Sequence, residues 1–134
     1  MIAKFWMNWL SAVSVILILV GLVFAFFGLR ILPVEQSVLL QWQSAIYGSI
    51  MIGWGTTLLF VGREAFHAHS RTLLRALAYG LAVWLISEAA FSVYWRVWFN
   101  VGVDVAVLTL FLIPLRRGVQ AEKTAPPNMK QKGD

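Results

Sequence analysis

From Phe5 to Leu29 the chain runs through 25 residues without a charge, and Arg30, Pro33 and Glu35 then interrupt it. As a helix that run would be about 37 Å long, enough to cross a hydrocarbon core of roughly 30 Å with some tilt. The apolar region of a cleaved signal peptide is shorter, about 7–15 residues, and is followed by a small-residue cleavage site, so this run reads as a retained span. Pro33 stops the first helix, and Arg30 to Ser37 form a short external turn in which Glu35 suits the first turn of the next helix. Val38 to Val61 is a second apolar run, broken only by Gln41, Gln43 and small residues. The stretch GREAFHAHSR, Gly62 to Arg71, is the most polar before the tail and predicts a link.

From Thr72 to Leu115 a further 44 residues carry only Arg75, Glu88, Arg96 and Asp104 as charges. That is about twice one crossing, so the segment must fold back on itself. Asn100 and Gly102 are the breakers near its middle and Arg96 is a charge that favours the interface, which predicts a hairpin around Arg96 to Gly102. The pattern therefore predicts an all-α integral membrane protein, a four-transmembrane-helix bundle. Its spans fall at about 5–29, 38–61, 72–95 and 101–115 of a domain over 1–117, followed by a flexible basic tail over 118–134.

Four spans bring both termini and the link between spans two and three to one side. That side collects Lys4, Arg63, Arg71, Arg75, Arg116, Arg117, Lys123, Lys130 and Lys132, against Arg30 and Arg96 on the other, nine to two. Basic residues gather on the cytoplasmic side of membrane proteins, so both termini are expected to be cytoplasmic, in a bacterial inner membrane.

Composition agrees and removes several chemistries. The chain is 60% hydrophobic and 13% charged, far from the roughly 25% charged of soluble domains. It has no cysteine, which excludes disulfides, thiolate metal sites and thiol nucleophiles. Net charge is +5, but the basic residues lie between apolar runs and in the tail. Their expected counterpart is the anionic membrane surface rather than nucleic acid.

Helices in lipid gain nothing hydrophobic from association, so small residues must let them approach. Ala45, Ser49, Gly53 and Thr57 recur every four residues on span two, with Ser44 and Gly48 as an adjacent row. Span one offers Ser14, Gly21 and Gly28 at intervals of seven, and span three Ala76 and Gly80. These rows are expected to hold the bundle together, or to meet another chain.

Glu88, Arg96 and Asp104 follow one another at intervals of eight in apolar and aromatic sequence. A hairpin at Arg96 predicts that Arg96 and Asp104 face each other as an interfacial salt bridge, contributing no more than about 1 kcal/mol. Glu88 lies about 12 Å farther along its helix, towards the bilayer middle. A carboxylate there must carry a proton, find a polar partner or border water, and Ser49, Tyr47 and Ser14 are the partners expected by depth. Such an acid is either a proton- or cation-coupling group or a clamp between helices.

Other candidates carry less. Glu64 and His67 share a helical face, half of a di-iron carboxylate arrangement whose second half is missing. His67 and His69 lie in the link and read as solvated, so no metal or other cofactor is expected. Trp95 and Trp98 suit an interface, while Trp84 lies deeper and suits packing against another helix. With no phosphate loop or catalytic triad, no catalytic residue is expected. The expected role is a non-catalytic accessory subunit or assembly factor in a larger membrane complex, with other transmembrane helices and lipids as partners. The alternative is a homo-oligomeric transporter or channel using Glu88.

Overall fold

In the computed structural model the four apolar runs form α1 (Ile2–Phe27), α2 (Val38–His67), α3 (Arg71–Tyr94) and α4 (Trp98–Thr124), each long and apolar enough to cross a membrane. The structure describes residues 2–28 and 38–124. The predicted turn with Arg30, Pro33 and Glu35 lies outside them, as do residues 125–134 of the tail predicted over 118–134, whose first residues to Thr124 instead continue α4.

Three boundaries differ from the sequence reading. The predicted link from Gly62 onward is largely helix, because α2 continues to His67 with Gly62, Ala65 and Phe66 buried against the other helices. Its polar residues Arg63, Glu64 and His67 are exposed, so the segment is an amphipathic extension of the helix. The second hairpin also turns earlier than Asn100 and Gly102, both of which belong to α4. Arg96 takes a positive φ of 60°, its N–H donates to the Val93 carbonyl at 3.0 Å, and the Val97 N–H donates to that of Ser92 at 2.8 Å. This pair of bonds closes a helix through a left-handed residue, a place glycine or asparagine usually takes. His69, φ 51°, closes α2 in the same way, and Ser70 then caps α3, its Oγ accepting from the Leu73 N–H at 3.3 Å. Freed from the turn, α4 begins at Trp98 and passes the predicted end of the fourth span at Leu115 to reach Thr124.

Sequential helices run antiparallel. A Cβ built on Gly21 would meet Gly48, one on Gly62 would meet Leu10, and one on Gly118 would meet Phe66 and Leu74. The start of α1, the α2–α3 link and the end of α4 thus gather at one end of the bundle, which also carries exposed Lys4, Arg63, Arg75, Arg116 and Arg117. The apolar core belongs to this basic half. Leu10 and Leu17, Leu58 and Phe66, Leu74 to Leu85, and Phe111 with Leu115 supply it from the four helices. Towards the other end, the buried positions are small or polar: Gly21, Ser44, Gly48, Ser92 and Asp104.

Pro114 joins α1 to α4 by what it lacks. A proline in a helix cannot donate to the carbonyl four residues back, here Leu110, and that carbonyl accepts from the Trp9 indole N–H at 3.2 Å. A similar replacement closes α1, whose Phe24 carbonyl accepts from the Ser44 hydroxyl at 2.9 Å. Large apolar side chains cover the outside on every helix, among them Ile16, Phe60, Val83 and Val105.

Candidate functional site

The inner stripe of α3 runs Leu74, Leu77, Leu81, Leu85 and, at the same spacing, Glu88 and Ser92. That of α4 runs Asn100, Asp104, Phe111, Leu115 and Gly118. Spacings of three and four keep residues on one helical face. The last turns of α3 and the first turns of α4 therefore oppose a Glu88–Ser92 pair to an Asn100–Asp104 pair.

Asn100 joins them. Its Nδ2 donates to Ser92 Oγ at 2.9 Å and to Asp104 Oδ2 at 3.3 Å, and Glu88 lies beside it. One amide carries two N–H donors, which go to Ser92 and Asp104. Asp104 is 4% exposed and Ser92 8%, while Glu88 is half-buried and close enough to Asp104 for their charges to interact. Two carboxyl groups thus sit together in largely apolar surroundings, one of them bonded to a neutral amide. This arrangement can hold a proton between oxygens or offer several oxygens to a cation; it provides no activated nucleophile.

The expected Arg96–Asp104 salt bridge does not form. Arg96 is exposed in the turn, whereas Asp104 lies on the inner stripe and accepts from Asn100. The early start of α4 separates the two, since Asp104 then falls in its second turn. The partners predicted for Glu88 by depth are turned elsewhere. The Ser14 and Ser49 hydroxyls donate to carbonyls of their own helices, Leu10 and Ala45, and Tyr47 is exposed. Glu88 is six residues from the end of α3, about 9 Å, and so about midway between that end and the middle of the helix.

The small-residue rows divide by side. Gly21 and Gly48 sit where the α1 and α2 backbones touch, and Gly28, φ 58°, lies beside Ser44. Ala45 is half-buried, while Ser49, Gly53 and Thr57 face outward, with nothing within 4 Å of a Cβ built on Gly53. An open groove of about 360 Å³ runs there, lined by Ile50, Gly53, Trp54 and Thr57. At its edge Trp54 stacks on Trp84 of α3, ring centroids 5.6 Å apart, which gives the deeper tryptophan its helix partner. Trp95 and Trp98 are exposed around the turn, as are Glu64, His67 and His69 at the basic end.

Sequence reasoning missed Asn100 and Ser92. Asn100 reads as a turn residue and Ser92 as an ordinary small polar one, yet 88 and 92, like 100 and 104, are four apart. That spacing on two adjoining helices was the available signal. The chain matches no protein-family model, and no curated protein or solved structure matches it.

Proposed function

We propose that the protein is a non-catalytic integral membrane protein, an accessory subunit or assembly factor that docks other transmembrane helices. Its helices span a bacterial inner membrane with both termini cytoplasmic. The outward row of Ser49, Gly53 and Thr57 carries this reading. The α1–α2 contact is made through Gly21 and Gly48, so the second row is left over from internal packing. In lipid, such a row is what another helix needs for close approach. The lopsided basic residues support the orientation, and the apolar outer surface supports insertion.

The test is the mass of the assembly extracted gently from its native membrane, for the wild type and for Gly53→Leu. Other polypeptides in fixed ratio, lost in Gly53→Leu while the chain stays folded, are the expected result. A lone chain in both samples would rule the subunit reading out.

The Glu88–Asn100–Asp104 cluster favours a second reading, a homo-oligomeric proton- or cation-coupled transporter. Under it, Glu88→Gln leaves assembly intact and abolishes ion flux into proteoliposomes. Under the first reading no flux depends on Glu88.

A further inference from the structure

The two hairpins hold each other in the basic half of the bundle and part beyond its middle. Trp9 reaches Leu110, Gly62 lies against Leu77, Phe66 against Gly118 and Trp54 against Trp84. Beyond the tryptophan stack the polar bonds stay within a hairpin, Ser44 to Phe24 in one and Asn100 to Ser92 and Asp104 in the other. Seven residues make nearly two helical turns, so Tyr47 repeats the face of Trp54 and Phe91 that of Trp84, each about 10 Å farther from the basic end. On the basic side of the stack, Leu58 and Leu81 of the same two helices are fully buried; on the far side Tyr47 is 54% exposed and Phe91 68%. On α1 the stripe of Leu10, Val13 and Leu17 likewise continues into exposed Val20 and Phe24. Helices packed along their whole length would bury these positions. A cleft therefore opens between α2 and α3, with the Trp54–Trp84 stack as its floor.

Glu88 stands in the wall of this cleft. It lies one turn beyond Trp84, between the faces of Trp84 and Leu85, and is half-buried, with Asp104 close enough for their charges to interact. Among the described side chains of this half, the only base is Arg96, exposed in the turn. Two carboxylates side by side in apolar surroundings are costly, and a neighbouring cation offsets that cost.

We infer that the cleft receives a transmembrane helix of another protein, one that carries a Lys or Arg at the depth of Glu88 and packs apolar side chains on Tyr47 and Phe91. The inference rests on the subunit reading above and adds the partner's chemistry. Trp54 borders both the cleft and the outward groove with Gly53 and Thr57, so one continuous surface of α2 serves a single helix. Lipid tails would fill the opening but bring nothing to the carboxyl groups, and the described helices of a second copy offer no base at that depth.

The experiment uses the purified full chain in phosphatidylcholine vesicles, with Phe91→benzoylphenylalanine as a photocrosslinker in the cleft. The probes are synthetic helices of about 22 leucines and alanines bearing one Lys, or one Gln in its place, at the depth of Glu88. Each is titrated against the otherwise unchanged chain, Glu88→Gln, and Glu64→Gln from the basic end, with circular dichroism as the folding check. The Lys helix should be captured at a roughly ten-fold lower concentration than the Gln helix, a preference lost in Glu88→Gln and kept in Glu64→Gln. Equal capture of both probes, or a preference that survives Glu88→Gln, overturns the site, and adducts to lipid alone assign the cleft to lipid. A preference seen only in Arg30→Gln shows that the chain's own arginine fills the place and overturns the external partner. The native mass comparison above fails separately. A lone chain with a Lys-selective cleft rules out the subunit reading and leaves the cation site, whereas a complex whose cleft ignores the Lys helix rules out the site alone.

Discussion

Between α1 and α2 the backbones come so close that a Cβ on Gly21 would stand 2.8 Å from the Gly48 carbonyl oxygen, and one on Gly48 would stand 2.5 Å from the Ala25 nitrogen. Between α3 and α4, at the same end of the bundle, Asn100 links Ser92 and Asp104 by hydrogen bonds, with Glu88 beside them. The two seams fail differently. Contact between backbones is blind to chemistry and intolerant of volume; a hydrogen-bonded cluster tolerates volume changes and depends on which atoms donate. One hairpin is therefore suited to being a fixed support, while the other keeps ionisable groups whose state can change without breaking the fold.

The comparison is broken most severely by adding volume to the first seam. Gly48→Leu puts a side chain where the Gly21 carbonyl and Ala25 already stand, and a clash with backbone cannot be relieved by a rotamer change. A loss of about 3 kcal/mol or more is expected from equilibrium unfolding in mixed micelles. Gly53→Leu, on the same helix but facing open space, should be within about 0.5 kcal/mol of wild type. Equal costs at the two glycines would mean that the α1–α2 contact is not the rigid one.

Removing the donor from the second seam is the next largest effect. Asn100→Ala leaves Ser92 and Asp104 without their shared amide and should cost about 2 kcal/mol. The cause is separable by a cycle. If the loss comes from an uncompensated carboxylate, Asp104→Asn in the Asn100→Ala background should recover most of it. Additive losses in the same unfolding assay would instead assign the cost to packing.

The four helices were legible because each run of apolar residues exceeds what any turn could hide. The two seams were legible only in part. Gly48 and Gly53 look alike in a sequence, since both lie in small-residue rows on one helix, and only the partner helix decides which row is inside. Asp104 and Glu88 stand out as acids in apolar sequence, but their pairing depends on where α4 begins. That start was misread because asparagine and glycine favour the left-handed conformation, whereas the chain gives it to Arg96 and uses Asn100 as a hydrogen-bond bridge. The extension of α2 was hidden by its polar residues, which occupy one face while Gly62, Ala65 and Phe66 occupy the other.

A smaller effect tests how the two hairpins are tied together. Trp9→Phe keeps an aromatic ring, though a smaller one, and removes the indole N–H, leaving the Leu110 carbonyl without the donor that replaces the one missing at Pro114. About 1 kcal/mol should be lost. In a Pro114→Ala background a backbone N–H becomes available to that carbonyl, and Trp9→Phe should then cost nearly nothing. A cost unchanged by Pro114→Ala would trace the effect to the ring's packing alone.

The smallest effect compares the ends of α1 and α3. Gly28 and Arg96 adopt nearly the same left-handed φ, 58° and 60°. Glycine does so without penalty, whereas a residue with a Cβ loses roughly 1–2 kcal/mol there. Arg96→Gly relieves that strain and adds backbone freedom to the unfolded chain, which offsets about 0.4–1 kcal/mol of the gain. A net stabilisation of about 0.5 kcal/mol is expected in micelles. The arginine is exposed and makes no ion pair with Asp104, so that acid does not offset the strain of its turn. If Arg96→Gly instead destabilises the protein, the guanidinium contributes more than the turn strain costs, and the α3–α4 hairpin is held from its tip as well as from its polar cluster.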